Sequence, residues 1–354
     1  MTALTSASGA GVAGAKRRPT GVAGLGWVTW RQHRATLIGL AVFAGLIATY
    51  MLIDGLKVHH LYSTAVRDGC VHPTIWTGPC RPLLSPFYVG WPLGYGNELG
   101  LLLPLFAIAA GVFLGAPLLA REYASGTTRF AWTQGTGRAQ LSLAKVVLLG
   151  LGVMAVAALL GWLGQWSMQP IIALSPGEFD RWQPDLFTTT PVTEAAAAAL
   201  AFAVGVLASA VIRHVVPAMA ATVVAAIVVA ELGYHRLHLW LLSVGLHQSP
   251  DAAMGANPNV GYSGNLFDLH EASGGRWLDQ GWYAGPGGHR LSNTQAGKLI
   301  LNPGLQARLH TTFQVTWQPG GRYWLFQLAQ GGVELLLAVV LAALAIWLIQ
   351  RRRA

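Results

Sequence analysis

Six apolar runs dominate this chain, near residues 36–54, 99–120, 146–166, 194–212, 215–233 and 324–349. Each is long enough to cross a hydrocarbon core of roughly 30 Å, which takes about 17 to 25 helical residues. Six such runs leave few ways to fold. Lipid offers no water to the backbone, so each run must close its own hydrogen bonds as a helix. The expected fold is an all-α polytopic membrane protein, with six transmembrane helices and a long external loop between the fifth and sixth. Composition agrees: 10% of residues are charged and 53% hydrophobic, against the roughly one quarter charged that is usual in soluble domains.

Basic residues set the orientation. With the N-terminus inside, the cytoplasmic pieces hold Lys16, Arg17, Arg18, Arg31, Arg34, Arg121, Arg129, Arg138, Lys145, Arg213, Arg351, Arg352 and Arg353. These 13 of the 23 basic residues face a single acid, Glu122, and net +12; the other 10 basic and 13 acidic residues net −3. Such an excess places both termini in the cytoplasm. The overall +9 charge is therefore a topology signal that also favours anionic inner-leaflet lipid, and no nucleic-acid partner is expected.

The layout follows. Residues 1–20, rich in Gly, Ala, Ser and Thr, form a disordered cytoplasmic tail; their weak apolar run precedes Lys16, whereas a signal peptide places its basic residues first. Residues 21–34 put Trp27, Trp30, Arg31 and Arg34 at helical spacing, as an interfacial amphipathic helix does. Residues 35–233 hold transmembrane helices one to five, with a cytoplasmic segment at 121–145. The fourth run is rich in small residues, which favour close helix packing in lipid, so it belongs inside the bundle. Arg213 and His214 alone separate it from the fifth, which makes a tight hairpin with Pro217 at a tolerated early helical position. Residues 234–323 are an external loop or small cap, 324–350 the sixth helix, and 351–354 a basic cytoplasmic end.

The first external loop, from residue 55, carries the only cysteines, Cys70 and Cys80, in G-C-V-H-P-T-I-W-T-G-P-C. An oxidising exterior and the turn-forming Pro73, Gly78 and Pro79 favour a disulfide between them over free thiols. His59, His60 and His72 match no zinc spacing, so no metal is expected. A second loop, about 167–193, carries Trp182 and several prolines and reads as a connection along the interface. The third opens with L-H-L-W-L-L-S-V-G-L at 237–246, too short to span and read as a re-entrant or interfacial helix. Further on, T-T-F-Q-V-T-W alternates Phe313, Val315 and Trp317 with polar neighbours, as a half-buried strand does.

Enzymatic chemistry finds little footing here. S-N-T-Q-A-G-K-L has Ser292 and Leu299 where a phosphate-binding loop needs Gly and Ser or Thr, and it lies in an external loop. The spans offer scattered glutamates, with no Asp pair, no Cys and no His away from the loops. Intramembrane charge is costly and usually functional. Glu334 lies about 16 Å into the sixth run at 1.5 Å per residue. It shares one helix face with Gln327 and Gln330, a polar stripe that serves as a substrate pathway, a subunit contact or a buried hydrogen-bonded group. Glu98, Glu194 and Glu231 fall near predicted span ends, where solvent reaches.

The basic segment between the second and third runs reads R-E-Y-A-S-G-T-T-R-F-A-W-T-Q and closes at Lys145. In the order Glu122, Gly126, Thr127, Arg138 and Lys145 it resembles the type-2 ATP-binding-cassette (ABC) permeases, whose cytoplasmic motif E-x-x-x-G-T is followed by a basic position and a closing Lys. Six spans, an amphipathic helix before the first and a long loop before the last extend the resemblance over nearly the whole chain. W-R-Q-H-R before the first run and A-R-E-Y-x-x-G-T after the second are similar to a bacterial exporter-like subgroup. One departure is T-Q-G-T-G-R, where many members have a Pro-containing turn.

What this resemblance implies is a permease subunit that forms the substrate pathway and takes energy from a separate cytoplasmic ABC ATPase. ATP and Mg would sit on that partner and no cofactor on this chain. The permease would pair as a homodimer or pseudo-dimer. Gly126 permits a sharp turn, and Arg121, Arg129 and Arg138 can pair with acids on the partner. The alternative is a membrane-anchored sensor or immunity protein without transport activity.

Overall fold

The structure, a computed structural model, describes residues 22–70, 97–124, 138–174, 181–182, 184–245, 247–250, 277–292, 294–296, 298, 308–309 and 311–351. Helix α1 spans Val22–Arg67. A second rod joins α2 (Asn97–Ala110), a π-helical turn (Gly111–Gly115) and α3 (Ala116–Ala124). Then come α4 (Arg138–Leu174), the short α5 (Pro184–Thr188) and α6 (Pro191–Ile212). A third rod joins α7 (Val215–Glu231), a π-helical turn (Leu232–Leu237) and α8 (His238–Ser243). Strands β1 (His247–Pro250), β2 (Trp277–Ala284) and β3 (Thr312–Gln318) precede the last helix, α9 (Tyr323–Arg351).

Among the described residues, five helices are long and apolar enough to cross a membrane, and Val215–Glu231 is a shorter apolar one. The all-α polytopic architecture is thus present, with one local addition. The three strands form an antiparallel sheet in the order β1-β3-β2, so T-T-F-Q-V-T-W is strand as its alternation predicts. The sheet is tied to the bundle by Gln318, whose Nε2 donates to the carbonyls of Leu242 and Val244 at 2.9 and 2.7 Å.

Two boundaries differ from the sequence reading. The interfacial helix expected at 21–34 is continuous with the first span, and α1 runs on to Arg67, past the expected loop start at residue 55. The reason is packing along α4. Gly55 lies against Trp166, the His59 ring stacks on Trp166 at 4.5 Å, and His59 Nε2 lies 3.2 Å from the Trp166 carbonyl. The helix ends in a Schellman turn: Gly69 adopts φ +72°, and the Gly69 and Cys70 amides bond back to Val66 and Ala65. Cys70 is disulfide-bonded, while Cys80 lies outside the described residues. The segment at 237–246 is likewise no separate element, because α8 continues the fifth helix through the π turn.

Helix α6 is the hub, packing against α2, α3, α4, α7 and α9. Small residues make this possible. A Cβ on Gly111 would collide with the Ala201 carbonyl oxygen, and one on Gly115 would lie 2.6 Å from that of Phe202. Spacing of this kind lets backbones close to near contact, where dispersion drives helix association in lipid. The hairpin between α6 and α7 turns at Arg213, held in the left-handed region at φ +63°.

Candidate functional site

The polar stripe of α9 is turned inward, and each member has a different partner. Gln327 is fully engaged: its Oε1 accepts from the Thr190 hydroxyl at 2.6 Å, and its Nε2 donates to the Phe187 carbonyl at 2.8 Å and the Tyr323 hydroxyl at 3.1 Å. It therefore ties the start of α6 to the start of α9. Gln330 stands between two titratable groups. Its Nε2 donates to Glu334 Oε1 at 3.1 Å, and its Oε1 lies 3.3 Å from His238 Nδ1.

His238 is the residue the sequence reading missed, since no histidine was expected inside the bundle. It is 1% exposed. Its Nε2 faces the Trp182 carbonyl at 3.1 Å, and its ring lies 4.4 Å from that of Phe187. Trp182, Phe187, Leu242, Tyr323 and Phe326 pack together around this end of the bundle. His238 lies beyond Val215–Glu231, the apolar part of its rod. Burial holds its imidazole below the ordinary value, against the opposing pull of the bonds to Trp182 and Gln330. The π turn at Leu232–Leu237 separates the buried Ala218, Thr222 and Ala226 of α7 from the buried His238 and Leu242 of α8, so no single helical period marked His238 as buried.

Glu194 also lies deeper than its place in the sequence implied. It is in the first turn of α6, which starts inside the bundle, and it is 3% exposed. Glu334, at 7%, is close enough to act on it electrostatically. Glu194 Oε1 and Glu334 Oε2 are buried without a hydrogen-bond partner. Gly233 of the π turn packs beside Glu334, whose Oε1 lies 3.5 Å from where a Cβ would stand, at ordinary van der Waals distance.

Beside Thr190 a cavity of about 220 Å³ opens between α4, α5 and α9, lined by Gln165, Gln169, Arg181 and Tyr323 among others. The Arg181 guanidinium lies over the Tyr323 ring at 4.5 Å and donates to the Gly320 carbonyl at 3.0 Å. The polar stripe thus reaches a cavity through Thr190, although Gln327 itself is held as a strut.

The basic segment is described at its two ends. Arg121 is exposed near the end of α3, and Glu122 follows it in the same helix. Gly126, Thr127 and Arg129 lie outside the described residues. Arg138 opens α4, and Lys145, two turns on, is 4% exposed and faces the bundle. Among the described residues no group of three or more His, Cys, Asp or Glu is placed to hold a metal.

Long apolar helices around a buried hub, with a polar stripe turned inward, define a multi-pass membrane protein. The family described as ABC-2 membrane transporter related matches residues 40–235, more than half the chain. The chain belongs to this family. No curated protein and no solved structure matches it.

Proposed function

We propose that this chain is the permease subunit of an ABC exporter, driven by a separate cytoplasmic ATPase that docks on segment 121–145. The family membership carries this reading, because the matched residues 40–235 enclose that segment and both helices that bear it. The exposed Arg121 at one end and Arg138 at the other supply positive charge for acids on the partner. ATP and Mg belong to the partner. Closure of two ATPases on ATP rocks two permease copies, homodimeric or pseudo-dimeric, between inward and outward states. In this reading the protein sits in a bacterial plasma membrane with both termini in the cytoplasm, an orientation that the positive-inside balance supports.

Co-expression with an ABC ATPase and purification in detergent test the assignment. Retention of the ATPase at one copy per permease, with ATP-dependent substrate movement in proteoliposomes, is the expected result. Repeated loss of every such ATPase would favour an anchored sensor instead.

A further inference from the structure

With one proton to share between His238 Nδ1 and Glu334, the His238, Gln330 and Glu334 side chains can satisfy one another in two ways. His238 Nε2 faces a carbonyl, so it must carry a proton and donate. With a neutral ring, Nδ1 is then an acceptor, and Gln330 must turn its N–H toward it, which exchanges the amide oxygen and nitrogen relative to the placement described above. The amide oxygen then faces Glu334 Oε1, which must be protonated to donate. With a charged ring, Nδ1 donates to the amide oxygen, and the amide N–H serves an ionised Glu334. Both arrangements contain the same number of protons; they differ in which group holds the last one and in the rotation of the Gln330 amide. An ionised Glu334 beside a neutral His238 leaves two acceptors facing the amide, which has only one donor edge.

The groups around Glu334 decide between the two. Glu194 reaches it from α6, His238 approaches through Gln330 from α8, and the π turn contributes Gly233. Two buried carboxyls within electrostatic reach of each other cannot both be ionised cheaply, and Glu194 Oε1 and Glu334 Oε2 are buried without a hydrogen-bond partner. A charged His238 would itself be enclosed by the aromatic cluster. We propose that Glu334 and Glu194, positioned by Gln330 and a neutral His238, form a proton-binding site buried between α6 and α9, on the side where α8 packs on α9. A proton is the ligand that suits it, because both carboxyls are packed and a proton needs no space. The site also couples protonation to packing: parting α6 from α9 would hydrate the carboxyls and release the proton.

Infrared difference spectroscopy of the purified full chain at neutral pH, with exchange into heavy water, reads the carboxyl C=O stretch directly. The expected result is a protonated-carboxyl band that is lost or halved in both Glu334→Gln and Glu194→Gln and shifts in frequency in His238→Asn. A band that survives both glutamine variants unchanged, or no such band in the wild type, overturns the proposal. The glutamine variants are isosteric, and should one fail to purify, the other decides alone. None of these readouts involves ATP or transport, so failure here is distinguishable from failure of the exporter assignment.

Discussion

Gly205 of α6 and Gly111 of the π turn after α2 meet backbone to backbone, so that a Cβ on Gly205 would overlap the Gly111 carbonyl oxygen. This contact is where the hub helix crosses the second span. The π turn fits the crossing because it shifts the backbone register at the point of closest approach.

Gly205→Ala and Gly111→Ala should therefore each destabilise the bundle by about 1–3 kcal/mol, since the obstacle is backbone and cannot rotate away. Thermal unfolding in detergent measures this. Gly39→Ala, with nothing within 4 Å of its added methyl, should leave the midpoint unchanged.

Gln327→Leu removes the strut between α6 and α9. It removes the amide donor to the Phe187 carbonyl, the amide acceptor of the Thr190 hydroxyl and the donor to the Tyr323 hydroxyl, leaving Thr193 Oγ1 as the remaining side-chain partner of the first two. A loss of about 1–3 kcal/mol is expected, because a buried polar group stripped of its partner costs its full desolvation. Gln327→Glu should also lose stability, since it exchanges an amide donor for an acceptor facing a carbonyl. Chemical denaturation of the two variants checks both.

The His238 imidazole binds its proton less tightly in the fold than the ordinary value of about 6.5. Its contribution to stability is full above that value and is lost as pH falls below it, because the unfolded chain takes up a proton that the folded chain refuses. Between about pH 7.5 and 5 the wild type should lose more thermal stability than His238→Gln. Equal slopes for the two proteins would contradict a neutral buried ring.

Glu122→Ala and Gly126→Leu should lower transport-linked ATP hydrolysis by about tenfold, as the loss of roughly 1.4 kcal/mol of coupling would do. Membrane insertion should not change. Hydrolysis rates of reconstituted complexes read the effect, and unchanged coupling would remove segment 121–145 from the energy path.

The legible part of the fold was the part set by composition and short periodicity. The apolar runs, the small-residue helix at the hub, the hairpin at Arg213 and the strand at Thr312–Gln318 all follow from local pattern. The polar stripe was legible as a face, since Gln327, Gln330 and Glu334 are three and four residues apart. What each member does was not legible, because their partners come from far along the chain: Thr190 for Gln327, His238 for Gln330 and Glu194 for Glu334. Helix ends were also misjudged. The first span was read as ending at residue 54, but α1 continues because His59 and Gly55 pack on Trp166.

The sequence by itself determined a bundle of membrane-crossing helices, because transfer of apolar side chains into lipid is a property of each segment alone. Only the tertiary structure decided that Glu194, His238 and Glu334 share one buried junction. Proton affinity and hydrogen-bond satisfaction depend on which helices pack together, and that depends on close backbone contacts such as Gly111 against Gly205.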